Sequence, residues 1–170
     1  QTDFNTISAR DFNSVTIRAG GGGAIYGSSA IGGSIHLNSD LSFENQFKNN
    51  LQLNYGSFNT LNVNYNLQMA TDKWSTNASV SRNSSDNNFR YLGTNRNNEN
   101  GQFENTSLNF SLGYKLDSSN VLKLYSAVFD SERHFSGTLS APSKSKFIDL
   151  NTRNLLEWSS VYDQFTSKVK

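Results

Sequence analysis

The chain has 170 residues, a formal charge of +1 and only 17% charged side chains, so it lacks the basic excess of a nucleic-acid or polyanion binder and no nucleic-acid partner is expected. The absence of cysteine excludes disulfide frameworks, thiolate metal sites and cysteine nucleophiles. Two histidines, His36 and His134, are too few for a histidine-rich metal centre, and neither a resident metal nor a cofactor is expected.

The first predicted elements are two short β-like runs, Ser14 to Arg18 and Ser34 to Asn38. Between them lies a glycine-rich stretch with four consecutive glycines, Gly20, Gly21, Gly22 and Gly23. Glycine accepts positive φ and close backbone approach, so this stretch reads as a tightly folded loop.

From residue 46 the pattern becomes strict alternation. Phe47, Leu51, Leu53 and Tyr55 oppose Lys48, Asn50, Gln52 and Asn54, with Asn49 the one polar intruder on the apolar side. Leu61, Val63, Tyr65, Leu67 and Met69 then oppose Asn62, Asn64, Asn66 and Gln68. Trp74, Thr76, Ala78 and Val80 oppose serines and Asn77, and Leu108, Phe110, Leu112, Tyr114 and Leu116 oppose Ser107, Asn109, Ser111, Gly113 and Lys115. A period of two sustained over about ten residues is a strand with two unlike faces. Less regular runs over 121–130 and 152–162 predict two more strands, and a seventh starts near Thr166.

Asparagine is a poor strand former, yet many of the 24 asparagines and 26 serines fall on one face of these strands. A water-soluble sandwich would place charges and threonine there. An outer-membrane barrel instead turns apolar residues to lipid and uncharged polar residues to its lumen, over segments of about ten residues. No run of 18 apolar residues exists that could form a spanning helix. Aromatics near the strand ends (Tyr55, Phe58, Trp74, Tyr114, Trp158, Tyr162) are expected to form interfacial girdles. The connections alternate, with long loops expected at Asn83–Glu104 and Ser131–Leu150 and short turns elsewhere.

The segment from Gly20 to Leu37 resembles the end of the plug domain of TonB-dependent outer-membrane receptors. In that family an apolar residue and Tyr-Gly precede Ala-x-Gly-Gly and a short strand; here these are Ile25, Tyr26, Gly27, Ala30, Gly32, Gly33 and Ile35. The Arg-Gly-Pro that many members carry just before the motif is replaced by Ala19-Gly20-Gly21. The resemblance implies an all-β chain: the C-terminal part of a plug over 1–40, then about six to seven antiparallel strands of a larger transmembrane β-barrel over 41–170. It implies an internal piece of a longer protein, lying in the outer membrane of a Gram-negative bacterium. By the same resemblance the whole protein is a receptor and transporter for a scarce nutrient such as a ferric siderophore or cobalamin. Its implied partners are outer-membrane lipid, the TonB energy-coupling complex acting through a region outside this chain, and a small-molecule ligand, metal chelates included. The competing reading is a soluble or surface β-rich glycan-binding module.

No enzyme activity is expected. The nearest phosphate-loop match, Gly22 to Ser29, has Ser28 where the lysine is required. His134 with Ser131 and Ser136 is the one candidate nucleophile–base set, at a spacing that rarely makes one. Acids in 131–150 are sparse and interleaved with bases, unlike a calcium loop. The residues expected to contact a ligand are Arg82, Phe89, Arg90, Tyr91, Arg96, Arg133 and His134, which combine aromatic faces with hydrogen-bond donors.

Overall fold

A computed structural model describes residues 12, 14–20, 32–38, 40–163 and 165–170. The chain divides into two compact units, Gln1–Asp40 and Leu41–Lys170. Gly21, Gly22, Gly23, Tyr26, Gly27 and Ala30 of the plug-like motif lie outside the described residues.

In the first unit, β1 (Ser14–Ala19) pairs antiparallel with β2 (Gly33–Asn38), from Ser14 opposite Asn38 to Ala19 opposite Gly33. Gly20 donates its N–H to the Gly32 carbonyl at 3.1 Å, closing the end of the ladder. A Cβ on Gly33 would sit 2.6 Å from the Arg18 carbonyl oxygen. Only glycine allows that approach, because the obstacle is backbone and cannot turn aside.

The second unit is one seven-stranded antiparallel sheet in sequence order: β3 (Gln46–Gly56), β4 (Thr60–Ala70), β5 (Trp74–Ser85), β6 (Phe103–Lys115), β7 (Asn120–Gly137), β8 (Pro142–Tyr162) and β9 (Phe165–Val169). β3 and β9 do not pair with each other, so the sheet is an open stretch of barrel wall. The fold is all-β.

The register keeps like residues together across the sheet. Tyr65 faces Val80, Val80 faces Leu108, and Leu108 faces Val128. On the other face Asn66 meets Ser79, and Ser79 meets Asn109. The polar face is the covered one: Asn64, Ser75, Ser79, Ser107, Ser111, Glu157 and Ser159 are buried. The apolar face is open, with Phe47 66% and Leu150 70% exposed, and the only buried hydrophobic residues among those described are Ala70 and Phe129. Each Leu or Phe left exposed forgoes about 1.5–3 kcal/mol of burial in water, so this arrangement suits an apolar solvent.

The chain enters this unit across the polar face. A Cβ on Gly113 would lie 2.9 Å from Leu41 and 3.0 Å from Phe43. The Lys115 ammonium stands 4.6 Å from the Phe43 ring centroid, a cation–π contact. Gly113 therefore supplies the dent in which the Leu41–Phe43 segment rests.

Aromatic residues mark the end of the sheet that carries the short turns. Trp74 and Tyr114 pack with ring centroids 4.2 Å apart. Nearby, Asn120 accepts from Trp158 Nε1 at 3.2 Å and from Ser160 Oγ at 2.5 Å, and its amide donates to the Tyr162 hydroxyl and to Asp117 at 2.9 Å each. Amphipathic rings with polar tips tied down are the expected furniture of a membrane–water boundary. Phe58 differs from the expectation: it sits in the β3–β4 turn with φ 61° and packs edge-on against Phe89 at 6.4 Å.

Replacing Asn120 with alanine removes partners from Trp158, Ser160, Tyr162 and Asp117 together. The expected loss is about 1–3 kcal/mol, with a shift in Trp158 fluorescence; an unchanged spectrum and midpoint would reject this role. Asp117, in the turn itself, has its carboxyl held below the usual value of 3.8, chiefly by the Asn120 side chain and then by the Ser119 N–H. A depressed folded value means the turn gains stability above pH 3.8 and loses it as pH falls through the lower folded value. Amide exchange at Ser119 should accelerate over that acidic window and not near neutrality.

Candidate functional site

The opposite end of the sheet carries the connection between β5 and β6, residues 86–102, and the tip of the β7–β8 hairpin. The first is a loop, as expected. The second corrects the expectation of a long loop over 131–150: β7 runs to Gly137, β8 starts at Pro142, and only 138–141 form the turn. Thr138 and Ala141 exchange backbone hydrogen bonds at 3.1 and 3.2 Å. Gly137 adopts φ 74°, and the ladder shifts register between Phe135 and Gly137.

The 86–102 loop is built around its asparagines. Asn98, only 3% exposed, donates to the Asn87 carbonyl at 2.7 Å, and Asn87 donates to the Gly101 carbonyl at 3.2 Å. Arg90 and Asn97 form an antiparallel bridge. A side chain at Gly101 would fall on the Asn98 amide. Asn100 then ties the loop to the hairpin by donating to the carbonyls of Phe135, Ser143 and Ser145 at 2.9, 3.2 and 3.1 Å.

His134 completes this tie. Its Nδ1 lies 2.9 Å from Asn100 Oδ1 and its Nε2 2.8 Å from Glu132 Oε1. Lys146 Nζ shares the same Glu132 oxygen at 3.1 Å. Both ring nitrogens of His134 are thus engaged by groups other than Ser131 and Ser136. Ser131 belongs to the polar face of β7, where it is 2% exposed. The serine–histidine set does not assemble.

The predicted contact residues separate into groups. Phe89 and Tyr91 meet edge-on at 5.3 Å within the loop. Arg90 is engaged by the Thr94 carbonyl at 2.7 Å and by Asn95. Arg96 reaches across to the hairpin turn and donates to the Leu139 carbonyl at 2.9 Å. Arg82 lies inside β5 on the face that carries Val80 and Tyr65, and pairs with Glu104 at 2.7 Å. That pair is about half exposed, so it contributes at most about 1 kcal/mol. Arg133 lies on the polar face of β7, its guanidinium 5.6 Å from the Phe147 ring centroid. Tyr91 and Arg96 share a site; Arg82, Arg133 and His134 do not point into it.

That site is a cleft of about 250 Å³ between the loop and the hairpin tip, lined by Tyr91, Arg96, Asn100, Ser136, Leu139 and Lys144 among others. One aromatic face, two cations, the Glu99 carboxylate and several amide and hydroxyl groups suit a polar ligand that both accepts and donates hydrogen bonds. Asn100, Ser136 and Leu139 carry no sequence signal, since Asn and Ser are common everywhere in the chain. Among the described residues no cluster of three or more His, Asp or Glu side chains could hold a metal ion. Asn100→Leu should free the loop and speed tryptic cleavage at Arg96 about tenfold or more; equal cleavage would show that the tie does not hold the loop.

No family model matches the chain, and no curated protein does. Among solved structures it is similar to one described as "Copper transporter OprC", with a TM-score of 0.72 at 16% identity. The likeness covers 93% of this chain and 24% of that one, so the chain spans about a quarter of the transporter's length. At that identity what the two share is the fold: an antiparallel β-barrel wall.

Proposed function

We propose that the chain belongs to a TonB-dependent receptor of the Gram-negative outer membrane, with 1–40 ending its plug and 41–170 forming the first strands of its barrel. The observation that carries this reading is the inverted sheet, whose polar face holds buried serines and asparagine while Phe47, Leu51, Leu53, Tyr55 and Leu150 on the other face lie open. The likeness to the fold of a transporter and the plug-like motif support it. A water-soluble glycan-binding sandwich would bury the apolar face instead.

In this reading the protein takes up a scarce nutrient without covalent chemistry. The cleft at Tyr91 and Arg96 meets the ligand outside, and the energy-coupling complex acts on the plug from within. Outer-membrane lipid covers the apolar face. The ligand is a small molecule of the metal-chelate type, a ferric siderophore or cobalamin being the reading favoured by the plug-like motif.

The test is fractionation of the full-length protein. It should sediment with outer membranes and migrate faster in detergent gels before boiling than after. Recovery in the soluble fraction with no heat-modifiable migration would overturn the reading.

A further inference from the structure

The near-zero net charge of the chain hides an uneven division between the two faces of the sheet. On the apolar face, beyond the leucine band, the charges do not lean positive: Arg82 pairs with Glu104 at 2.7 Å and Lys146 with Glu132 at 3.1 Å, and Asp130 lies on the same face. The polar face near the short-turn end is different. Lys115, Lys123, Lys168 and Lys170 lie there on β6, β7 and the end of the chain at β9, and Glu157 on β8 is the carboxylate among them. Lys123 and Lys170 both reach Glu157, at 3.3 and 3.5 Å. Lys115 rests over the Phe43 ring, a contact that leaves its charge uncompensated. Among the described residues of these strands at that end of the face, one carboxylate stands against these four ammonium groups, with Asp117 and Asp163 in the adjoining turns.

We infer that this wall is an electropositive path for an anionic solute, one bearing carboxylate or phosphate groups. The inference rests on the transport reading above, which makes the polar face the inner one, and it specifies the class of molecule that passes. Three physical points carry it. Lysines on adjacent strands sum their potentials, and a protein wall of low dielectric strengthens the field beside it. Rings of Lys and Arg select anions in other pores. The surrounding Asn and Ser side chains offer hydrogen bonds without opposing charge, so beside Glu157, which Lys123 and Lys170 already engage, a passing anion meets donors. A flexible ammonium binds as a point charge and releases readily, as a path requires.

The absence of cysteine makes a direct test possible. Leu155 lies on the polar face between Arg153 and Glu157, opposite Tyr125, and is 37% exposed. A single cysteine would be placed there (Leu155→Cys) in the full-length protein, and a control in the exposed turn (Ser118→Cys), using only protein that is heat-modifiable and recovered in outer membranes. The anionic sulfonatoethyl thiosulfonate should outpace the cationic trimethylammonium reagent at position 155 by about tenfold more than at the control, an effect of a few kT. Citrate should slow modification of Leu155→Cys by neutral methyl methanethiosulfonate at least threefold; sucrose at the same concentration should not. Lys123→Gln combined with Lys168→Gln should remove both effects. Equal reagent ratios at the two positions, no reaction at position 155, or citrate without effect would overturn the inference. Protection by a polyglutamate peptide but not by citrate would also overturn it, in favour of an acidic protein segment. Failure to recover heat-modifiable protein would instead reject the transport reading itself.

Discussion

Leu108→Arg should destabilise the membrane-inserted protein by about 2–4 kcal/mol, the cost of an arginine on the lipid face near the bilayer midplane. Leu108 lies mid-strand on the apolar face of β6, with Val80 on one side and Val128 on the other. Arginine there must either lose its hydration or drag water and headgroups toward it. The paired control is Asn62→Arg on the polar face of β4, beside Asn54 and Asn83. It should change stability by less than about 1 kcal/mol, because a lumen-facing side chain stays hydrated. Urea unfolding of the full-length protein in lipid vesicles measures both. If the two substitutions cost the same, the sheet has no lipid side and the barrel reading fails. In a soluble sandwich the order would reverse for whichever face is packed.

Gly137→Val should be the most damaging change in the β7–β8 tip, at about 2–3 kcal/mol or more. The backbone there is at φ 74°, where a β-branched residue is strained. The new side chain would also meet the Ala141 carbonyl and lie 2.8 Å from the Ser143 nitrogen. Both obstacles are backbone, so the turn itself must open. The lower half of the β7–β8 ladder lies far from Gly137 and should survive. The expected result is faster hydrogen exchange and faster tryptic cleavage at Lys144 and Lys146, with heat-modifiable migration retained. Exchange confined to the wild-type rate would mean the tip is a loose loop after all. Because Asn100 and Arg96 both bind carbonyls of this hairpin, the cleft beside Tyr91 should widen in the same variant.

The hairpin also shows why part of the fold was hidden in the sequence. Strands inside the leucine band announce themselves by alternation, because lipid and lumen demand opposite side chains. Beyond the band both faces meet water. Glu132, His134, Lys146 and Asp149 then satisfy either face, and the alternation of hydropathy disappears while the backbone ladder continues. A run of mixed charge around serines accordingly reads as a loop. The same lack of contrast hid Asn100 and Asn98. Their amides organise the 86–102 loop, but one asparagine in a segment rich in them has nothing to distinguish it. Tyr91 and Arg96 were legible as ligand-type side chains. Arg82 was legible only as a type, since its face depends on where β5 ends, and β5 runs past it to Ser85.

The sequence by itself determined the class of the fold, the strands from 46 to 130, their two unlike faces and the polarity of each. Those properties are local, being set by a period of two and by which side chains tolerate lipid. Only the tertiary structure decided which residues share a site. It brought Arg96 to Leu139 and Asn100 to Ser143 across more than forty residues of chain. It also gathered Lys123, Lys168 and Lys170 around Glu157, a concentration of charge invisible in a chain whose net charge is +1. Strand pairing makes neighbours of residues distant in sequence, and the register that aligns them belongs to the whole sheet rather than to any one strand.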